Sequence, residues 1–319
     1  MTDILSFEET GILPVVNIPS LEKALPLMRA LLEGGIDGLE VTLRASHSLE
    51  CIRRIKQAYP EVTVGAGTVL DIETAAAALA AGADFLVSPG YDPALVSYGL
   101  ERQVPIIPGC TTASEIQAGL QQGLRLFKFF PAEFSGGVAA LRLLSGPFPQ
   151  ARFLPTGGIG FDNLGDYLSL SAVAACGGSF VATAQQLSRD DYSGITAACR
   201  RAVDISLGFS LAHGGLNCSQ EEAAQESARQ LGAIFRLPVK DECSSVFVGS
   251  AVECMKTPGY GANGHIGFYT RSIPRALAYF ARCGWTVQDG SAYRDENGQM
   301  VSVYLQQQVG GFAFHILQR

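Results

Sequence analysis

The chain of 319 residues lacks long apolar runs, basic clusters and paired cysteines. Because no apolar run reaches about 18 residues, we expect no transmembrane helix. The net charge of −7 and the absence of a basic stretch argue against a nucleic-acid partner. The first ten residues contain three acidic side chains and no lysine or arginine, so we do not expect a secretory leader either.

The eight cysteines are scattered and form no C-x-x-C pair. This pattern favours reduced thiols, and hence a cytoplasmic location, over a disulfide framework. The hydrophobic fraction of 47% and the charged fraction of 17% are typical of a well-buried globular protein. The length allows one large domain with a smaller one, or two to three domains of average size.

Short apolar runs alternate with helix-like stretches up to about residue 207. The runs predict eight strands, at residues 13–18, 38–43, 63–68, 85–88, 105–108, 126–130, 153–156 and 172–176. Eight strands alternating with helices predict an α/β fold, a closed (β/α)8 TIM barrel. The alternative is a doubly wound open sheet, which normally has fewer strands and a glycine fingerprint after the first. No such fingerprint follows Ile18.

After residue 207 the pattern becomes strand, helix and further strands, at residues 209–257 and again at residues 263–319. In the first of these segments we expect Ser219 to cap the helix, with Glu222 three residues on. The repetition of this order of elements predicts an internal pseudo-repeat. We therefore predict two domains, a TIM barrel at residues 1–207 and a smaller α+β domain of tandem βαβββ-like units at residues 208–319.

Lys128 is the most informative residue of the barrel region. Apolar and aromatic neighbours flank it in a predicted strand, Phe127-Lys-Phe-Phe-Pro-Ala-Glu133. Burial disfavours the charged ammonium form and leaves more nucleophilic free amine, which forms a Schiff base with a ketone or aldehyde. The alternative is a lysine at a strand end that extends its charge to water.

Further candidates lie at the carboxyl ends of the predicted strands, where barrels carry their chemistry. Glu40 and Thr42 point inward with the lysine, and a carboxylate beside an amine can shuttle protons. A purely structural buried ion pair is the alternative. Arg44 either binds a carboxylate or is a solvated first-turn residue. The glycine pairs at 157–158 and 177–178 follow strands seven and eight, where backbone N–H groups often hold phosphate, although glycines also end strands for steric reasons.

Residues 7–207 closely resemble the family of KDPG (2-keto-3-deoxy-6-phosphogluconate) and KHG (4-hydroxy-2-oxoglutarate) aldolases. The matching stretches follow the family order and spacing: Gly38-Leu-Glu-Val-Thr-Leu-Arg44, Gly65-Ala-Gly-Thr-Val69, Val87-Ser-Pro-Gly90, Lys128-Phe-Phe-Pro-Ala-Glu133, Pro155-Thr-Gly-Gly-Ile159 and Gly177-Gly-Ser179. The resemblance implies a class I aldolase, usually a homotrimer, that needs no metal. It would reversibly cleave KDPG to pyruvate and glyceraldehyde 3-phosphate, with KHG, cleaved to pyruvate and glyoxylate, as a further substrate.

The resemblance also implies roles for individual residues. Lys128 would be the Schiff-base nucleophile, and Glu40 the acid/base that acts through water. Arg44 and Thr68 would hold the pyruvoyl end of the 2-keto acid. The phosphate end would be lined by Thr156, Gly157, Gly158, Gly178 and Ser179, with Phe130 and Pro89 shaping the pocket. Many members carry an arginine, and others an apolar residue, where this chain has Asn17, which leaves the substrate preference open. The Ser179 hydroxyl favours the phosphorylated substrate.

Three of the four histidines, His213, His265 and His315, lie in the last third of the chain. With Glu253 they fall on four predicted strands, a set of imidazole and carboxylate ligands suited to a divalent metal such as zinc, nickel, manganese or iron. The alternative is that each is an ordinary polar residue on a half-exposed strand.

The tandem units resemble the glyoxalase/bleomycin-resistance (vicinal oxygen chelate) fold in the stretches Ala251-Val-Glu-Cys254, Gly264-His-Ile-Gly-Phe268 and Phe312-Ala-Phe-His-Ile316. Metal-binding members take their ligands from the first and last strands of each unit, in the order that the four candidate ligands follow. Glyoxalase I usually has a second carboxylate where this chain has His315, so lactoylglutathione lyase activity is not implied. The alternatives for this domain are a metal-dependent isomerase or lyase and a non-catalytic small-molecule sensor.

Overall fold

The structure, a computed structural model, describes residues 6–319. The chain divides into two compact units, one that ends at Ser206 and one that runs from Leu207 to Arg319. Among the described helices, none combines the length and the apolar character needed to cross a membrane. All eight cysteines are free thiols, and five of them are buried, at positions 51, 110, 176, 199 and 254.

Every strand pairing in the described part of the first unit is parallel. The strands, β1 to β9, are Ile12–Val16, Gly38–Thr42, Thr63–Gly67, Phe85–Val87, Ile106–Ile107, Gly109–Cys110, Leu126–Phe129, Arg152–Pro155 and Cys176–Gly178. One sheet has the order β5-β4-β3-β2-β1-β9, and a second has the order β6-β7-β8. Helices connect successive strands, so the first unit is an α/β fold built on a curled parallel sheet.

The helices described in the first unit are α1 to α10: Ser6–Thr10, Ala24–Glu33, Ser48–Ala58, Ile72–Ala80, Pro93–Glu101, Ala113–Gln121, Gly137–Ser145, Leu164–Leu168, Ala184–Ser188 and Tyr192–Leu207. Four of them, α4, α5, α6 and α9, begin with a side chain that accepts a capping hydrogen bond. The Asp71 side chain accepts a hydrogen bond from the backbone N–H of Thr74 at the start of α4. Thr112 and Glu115 form a capping box at the start of α6.

Two strands of the first unit differ from the sequence prediction. The strand expected at 105–108 is limited to Ile106–Ile107, which pairs with β4, and a further short strand, Gly109–Cys110, pairs with β7. Pro108 lies between these two strands and has no N–H to donate to a sheet. The strand expected at 172–176 begins only at Cys176, and Val173 makes an isolated bridge to Phe153.

The strands of the first unit are buried on both faces, as expected for a parallel sheet covered by helices. All five residues of β2 are buried. One cluster of the core consists of Phe7, Leu13, Phe85, Val87, Ile107, Leu154 and Ala175, with Leu126 packed against it. Leu154 belongs to this cluster and pairs in register with Lys128, so the core lies directly beneath the candidate nucleophile.

The second unit repeats one order of elements twice. Its first half has β10 (Ser210–Asn217), α11 (Glu221–Phe235) and β11 to β13, which are Val239–Asp241, Ser245–Val248 and Val252–Met255. Its second half has β14 (Gly264–Thr270), α12 (Ile273–Arg282) and β15 to β17, which are Tyr293–Arg294, Met300–Val309 and Phe312–Gln318. The strands form one sheet of order β11-β12-β13-β10-β14-β17-β16-β15, in which β10 and β14 are antiparallel neighbours.

The sequence pattern did not predict the two edge strands of this sheet. β11 and β15 are short and fully exposed, so they carry no apolar alternation that would reveal them. The segment expected to be a strand at 285–288 contributes only a bridge between Val287 and Leu305. Gln220, rather than Ser219, precedes α11, and its side chain makes no capping hydrogen bond.

We expect Leu154→Ala to lower the free energy of unfolding by about 2–5 kcal/mol, because the truncation leaves a cavity in a fully buried cluster. Leu70→Ala is the matched control, since Leu70 is 62% exposed whereas Leu154 is 0% exposed. The control should change stability by no more than about 0.5 kcal/mol. Urea unfolding followed by circular dichroism measures both, and equal losses would contradict this account of the core.

Candidate active site

Lys128 and Glu40 lie side by side in the first unit, as the sequence predicts for two inward-pointing residues. Nζ of Lys128, on β7, is 3.2 Å from Oε1 and 3.4 Å from Oε2 of Glu40, on β2. Lys128 is 6% exposed and Glu40 is 1% exposed. The ring centroid of Phe130 lies 5.4 Å from the amine. The pair is therefore shielded from water, with a carboxylate within proton-transfer distance of an amine.

Glu40 fits beside Lys128 because β3 carries a glycine next to it. A Cβ at Gly67 would lie 2.0 Å from Oε1 of Glu40, so any larger residue there would displace the carboxylate. The next residue, Thr68, has a φ of 62°, which lies in the left-handed region that β-branched residues rarely adopt. Unfavourable backbone conformations of this kind collect at functional sites. Thr68 was predicted to hold the pyruvoyl end, and it follows directly on the glycine that faces Glu40.

A cleft of about 400 Å³ brings together most of the predicted substrate-binding residues. Its lining includes Thr42, Arg44, Thr156, Gly157, Gly158, Gly178 and Ser179. Thr42 is two residues after Glu40 on β2 and therefore on the same face of that strand. The cleft also includes Asn17, just after β1, for which the sequence offered no role. Its position at the carboxyl end of the first strand is the signal that could have identified it.

The two glycine segments of the cleft have a backbone suited to an anion. The φ angles of Gly157 and Gly158 are 95° and 83°, which side-chain-bearing residues rarely adopt. A Cβ at Gly177 would lie 2.4 Å from Oγ1 of Thr156, so that glycine makes room for the threonine. Among residues 6–319, no group accepts a hydrogen bond from the backbone N–H of Gly158 or Ser179.

Three predicted substrate-binding residues, Thr68, Pro89 and Phe130, lie outside the lining of this cleft, as do Lys128 and Glu40. Pro89 lines a separate cavity of about 250 Å³, together with Ser88, Gly90 and Tyr91. Gly109 permits the close approach of Pro89, because a Cβ there would lie 2.0 Å from the Pro89 carbonyl oxygen. Phe130 contributes its ring beside the amine instead.

In the second unit, the side chains of four predicted metal ligands converge from four strands. His213 (β10), His265 (β14) and His315 (β17) are buried, and one nitrogen of each lies within 4.8 Å of the others. Nε2 of His213 is 3.2 Å from Nε2 of both His265 and His315. Oε2 of Glu253 (β13) is 3.0 Å from Nε2 of His265 and 3.2 Å from Nε2 of His213.

Two glycines on the neighbouring strands give these imidazoles their space. A Cβ at Gly215 would lie 2.1 Å from the His265 ring, and Gly215 pairs in register with both His265 and Glu253. A Cβ at Gly267 would lie 2.5 Å from Nε2 of His315 and 3.0 Å from the His213 ring. The centre of the sheet is therefore shaped around the convergent side chains.

Aromatic side chains surround the histidine cluster. Tyr304 stacks on His315 at a centroid distance of 4.7 Å, and Phe247 lies edge-on to His213 at 5.8 Å. Burial lowers the pKa of His315 to about 3, and the nearby His265 and His213 act in the same direction. Burial alone would raise the pKa of Glu253, but hydrogen bonds from His213, His265 and Ser245 outweigh it and hold that pKa well below its usual range.

The curled parallel sheet, the buried lysine–carboxylate pair and the adjoining cleft define an α/β protein with a site suited to Schiff-base chemistry on a small oxo compound. The family model described as KDPG and KHG aldolase matches residues 4–198. The chain belongs to this family. Residues 199–319 lie beyond the match.

Individual relatives agree with this assignment. The 2-dehydro-3-deoxy-phosphogluconate aldolase of Treponema pallidum (strain Nichols) is 44% identical over 200 residues, which cover 63% of this chain and 95% of that protein. The KHG/KDPG aldolase of Escherichia coli (strain K12) is 46% identical over 204 residues, which cover 64% of this chain and 96% of that protein. The crystal structure of KDPG aldolase from Legionella pneumophila, with pyruvate captured at low pH as a covalent carbinolamine intermediate, is 40% identical with a TM-score of 0.61. The aligned region covers 62% of this chain and 96% of the Legionella chain.

We expect Glu40→Gln to destabilise the protein by about 3–5 kcal/mol, because it leaves a buried ammonium without its carboxylate. Combining it with Lys128→Met should recover most of the loss, since the uncompensated charge is then removed. Glu50→Gln is the matched control, because Glu50 is 41% exposed in its pair with Arg53, and it should cost less than about 1 kcal/mol. Urea unfolding measures all three variants, and a double variant no more stable than Glu40→Gln would contradict the prediction.

Proposed function

We propose that the first unit is a class I aldolase that reversibly cleaves KDPG to pyruvate and glyceraldehyde 3-phosphate. The observation that carries the proposal is the buried contact of 3.2 Å between Nζ of Lys128 and Glu40 in a chain of this family. The names of the relatives, KDPG aldolase and KHG/KDPG aldolase, support the substrate. Cleavage of KHG to pyruvate and glyoxylate would follow the same route.

Lys128 would act as the nucleophile that makes the C3–C4 bond of the substrate cleavable. Its free amine adds to the C2 ketone, and the carbinolamine loses water to give an iminium ion. The iminium accepts the electron pair of the C3–C4 bond as the C4 hydroxyl gives up its proton, which releases glyceraldehyde 3-phosphate and leaves an enamine. Protonation at C3 and addition of water then release pyruvate and restore the amine.

Glu40 would move the protons of these steps, acting through a water molecule. It lies beside the amine, so the same carboxylate can protonate the departing carbinolamine hydroxyl and accept the proton of the C4 hydroxyl. It can return that proton to C3 of the enamine. Because one group gives and takes each proton, the cycle ends in the protonation state in which it began.

The cleft would hold the two charged ends of the substrate. Arg44 can bind the carboxylate with two parallel hydrogen bonds, and Thr68 would help to hold the pyruvoyl group. The phosphate would lie against the loop of Gly157 and Gly158 and against Ser179, where the backbone N–H groups of Gly158 and Ser179 have no acceptor in the described part of the chain.

We further propose that β1 to β9 close into one (β/α)8 barrel in a domain of residues 1–207. Two contacts between the two sheets support this closure. A bridge joins Thr156, which follows β8, to Gly177 in β9. The Lys128 N–H in β7 donates to the carbonyl of Pro108, which lies between β5 and β6, at 2.9 Å. A homotrimer stays a prediction, supported by Phe134 and Leu143, which are 93% and 78% exposed. The cytoplasmic location also stays a prediction.

We expect incubation with pyruvate and sodium borohydride to leave a reduced adduct on the peptide that contains Lys128. Lys128→Ala should lose both the adduct and KDPG cleavage, because no amine remains to form the imine. Lys240→Ala is the control, since the Lys240 side chain is 77% exposed in the second unit, and it should behave as wild type. Intact-mass analysis with peptide mapping measures the adduct, and near-wild-type turnover by Lys128→Ala would overturn the assignment.

We also propose that the second unit is a glyoxalase-like domain of residues 208–319, with a divalent-metal site made of His213, Glu253, His265 and His315. The convergent nitrogens fit such an ion. With metal–nitrogen bonds of about 2.0–2.1 Å in a tetrahedron, two ligands lie about 3.3 Å apart. The Nε2 atom of His213 lies 3.2 Å from that of His265 and 3.2 Å from that of His315, and one nitrogen of each of the three rings lies within 4.8 Å of the others. Three imidazoles and one carboxylate are a donor set that zinc, nickel, manganese or iron accepts.

A metal in this site would polarise an oxygen atom of a small oxo compound. Such polarisation would serve an isomerase or lyase, and we propose an activity of this kind for the second unit. The Tyr304 ring, which stacks on His315, would form one wall of the substrate pocket. The alternative is a sensor that binds such a compound without converting it. A chelator discriminates between the two units, because it should abolish any metal-dependent activity and leave the Schiff-base cleavage of KDPG unchanged.

We expect the purified protein, reloaded with zinc and dialysed, to retain about one metal ion per chain. His265→Ala and Glu253→Gln should reduce that content at least tenfold, because each removes a ligand. His47→Ala is the matched control, since His47 lies in the first unit and contacts the Ile18 carbonyl. Elemental analysis gives the content and circular dichroism verifies folding. Wild type without bound zinc, nickel, manganese or iron would contradict the proposal.

A further inference from the structure

Asn163 occupies a position at which its side chain would ordinarily cap a helix. It immediately precedes α8, and asparagine at such a position normally accepts a hydrogen bond from a backbone N–H of the first turn. Its side chain makes no such bond. Instead, Nδ2 donates to the Gly158 carbonyl at 3.0 Å, and Oδ1 accepts from the Gly160 N–H at 2.9 Å. The Asn163 side chain therefore does not cap α8. It binds instead to residues 156–160, which we call the glycine loop.

Three consecutive backbone carbonyls of the glycine loop each accept a hydrogen bond. The Ala132 N–H donates to the Thr156 carbonyl at 2.8 Å, and the Glu133 N–H donates to the Gly157 carbonyl at 3.1 Å. Asn163 holds the third carbonyl, that of Gly158. Three consecutive carbonyls are thus each fixed by a donor outside the loop.

Fixing these carbonyls also fixes the direction of the N–H groups. In a planar trans peptide, the N–H of one residue points opposite to the carbonyl of the residue before it. The N–H groups of Gly157, Gly158 and Ile159 therefore point away from Ala132, Glu133 and Asn163. Gly157, Gly158 and Ile159 line the cleft. The Gly157 N–H points toward Gly177 of β9, across the bridge between Thr156 and Gly177, whereas no described residue accepts from the N–H groups of Gly158 and Ile159.

Glu133 is itself held in place. The Tyr167 hydroxyl, in α8, donates a hydrogen bond to the Glu133 carboxylate. The Glu133 side chain lies so close to Gly158 that a Cβ there would be 2.4 Å from its Cγ. The glycine loop therefore has two supports. Asn163 binds it directly, and Tyr167 of α8 fixes the Glu133 side chain that packs against it.

We propose that Asn163 is a positioning residue that orients the backbone N–H group of Ile159, beside that of Gly158, toward the phosphate of the substrate. The inference rests on the proposed aldolase function, which it deepens by separating recognition of the phosphate from the chemistry at Lys128. Without Asn163, the Gly158 peptide can rotate, and the N–H group of Ile159 loses its fixed direction. Phosphate binding weakens while imine formation with pyruvate, which carries no phosphate, continues.

The test compares Asn163→Ala with wild type in KDPG cleavage and in pyruvate trapping. We expect the KM for KDPG to rise about tenfold, as for one lost hydrogen bond to a charged group, with kcat and the rate of adduct formation within twofold of wild type. Asn163→Asp should raise KM as well, since a carboxylate cannot donate to the Gly158 carbonyl. Asp162→Ala, at the exposed neighbouring residue, is the control and should leave KM unchanged.

An unchanged KM in Asn163→Ala would overturn the inference, as would a parallel loss of pyruvate trapping, which would mark a general structural role. Failure of the proposed function looks different, because wild type itself would then neither trap pyruvate nor cleave KDPG. In that case calorimetry with inorganic phosphate tests the loop directly. Weaker phosphate binding by Asn163→Ala than by wild type and Asp162→Ala supports the inference, and equal binding, or no binding by wild type, refutes it.

Discussion

The buried contact between Lys128 and Glu40 is the interaction on which the first unit depends. At 3.2 Å the attraction of two unit charges is about 5 kcal/mol with an effective dielectric constant near 20, and transferring each ion from water costs several kcal/mol. The pair therefore adds little net stability. Its role in the proposed reaction is chemical, because the buried lysine would be the nucleophile of imine formation and the adjacent carboxylate would carry the protons.

Each site depends on glycines, because a Cβ atom at these positions would overlap with the functional side chains. Gly67 leaves room for the Glu40 carboxylate, whereas Gly215 and Gly267 leave room for imidazole rings in a different sheet. A strand places its side chains at fixed intervals, so a bulky functional group on one strand requires a missing side chain on its neighbour. The glycines therefore belong to the sites as much as the polar residues that they accommodate.

The sequence predicts elements whose signal is local, and it fails where the signal depends on packing. The Lys128 strand, the order of the strands and the four convergent residues of the second unit follow from apolar runs and from residue type. The edge strands β11 and β15 carry no such signal, because exposed edges do not alternate. Asn163 was missed for another reason: an asparagine before a helix is read as a cap, and only the folded loop reveals that its side chain bonds to Gly158 and Gly160 instead.

The two sites handle charge in opposite ways, and each is built from one unit alone. The first buries a cation against an anion. The second gathers three imidazoles, of which His315 has a pKa lowered to about 3 chiefly by burial, around one carboxylate. For the proposed functions, the lowered pKa of His315 would favour a bound cation, whereas the nucleophile of the first site would need an amine without a competing ligand. The side chains of the first site all come from the first unit and those of the second site all come from the second, so the two proposed functions can be tested by separate substitutions.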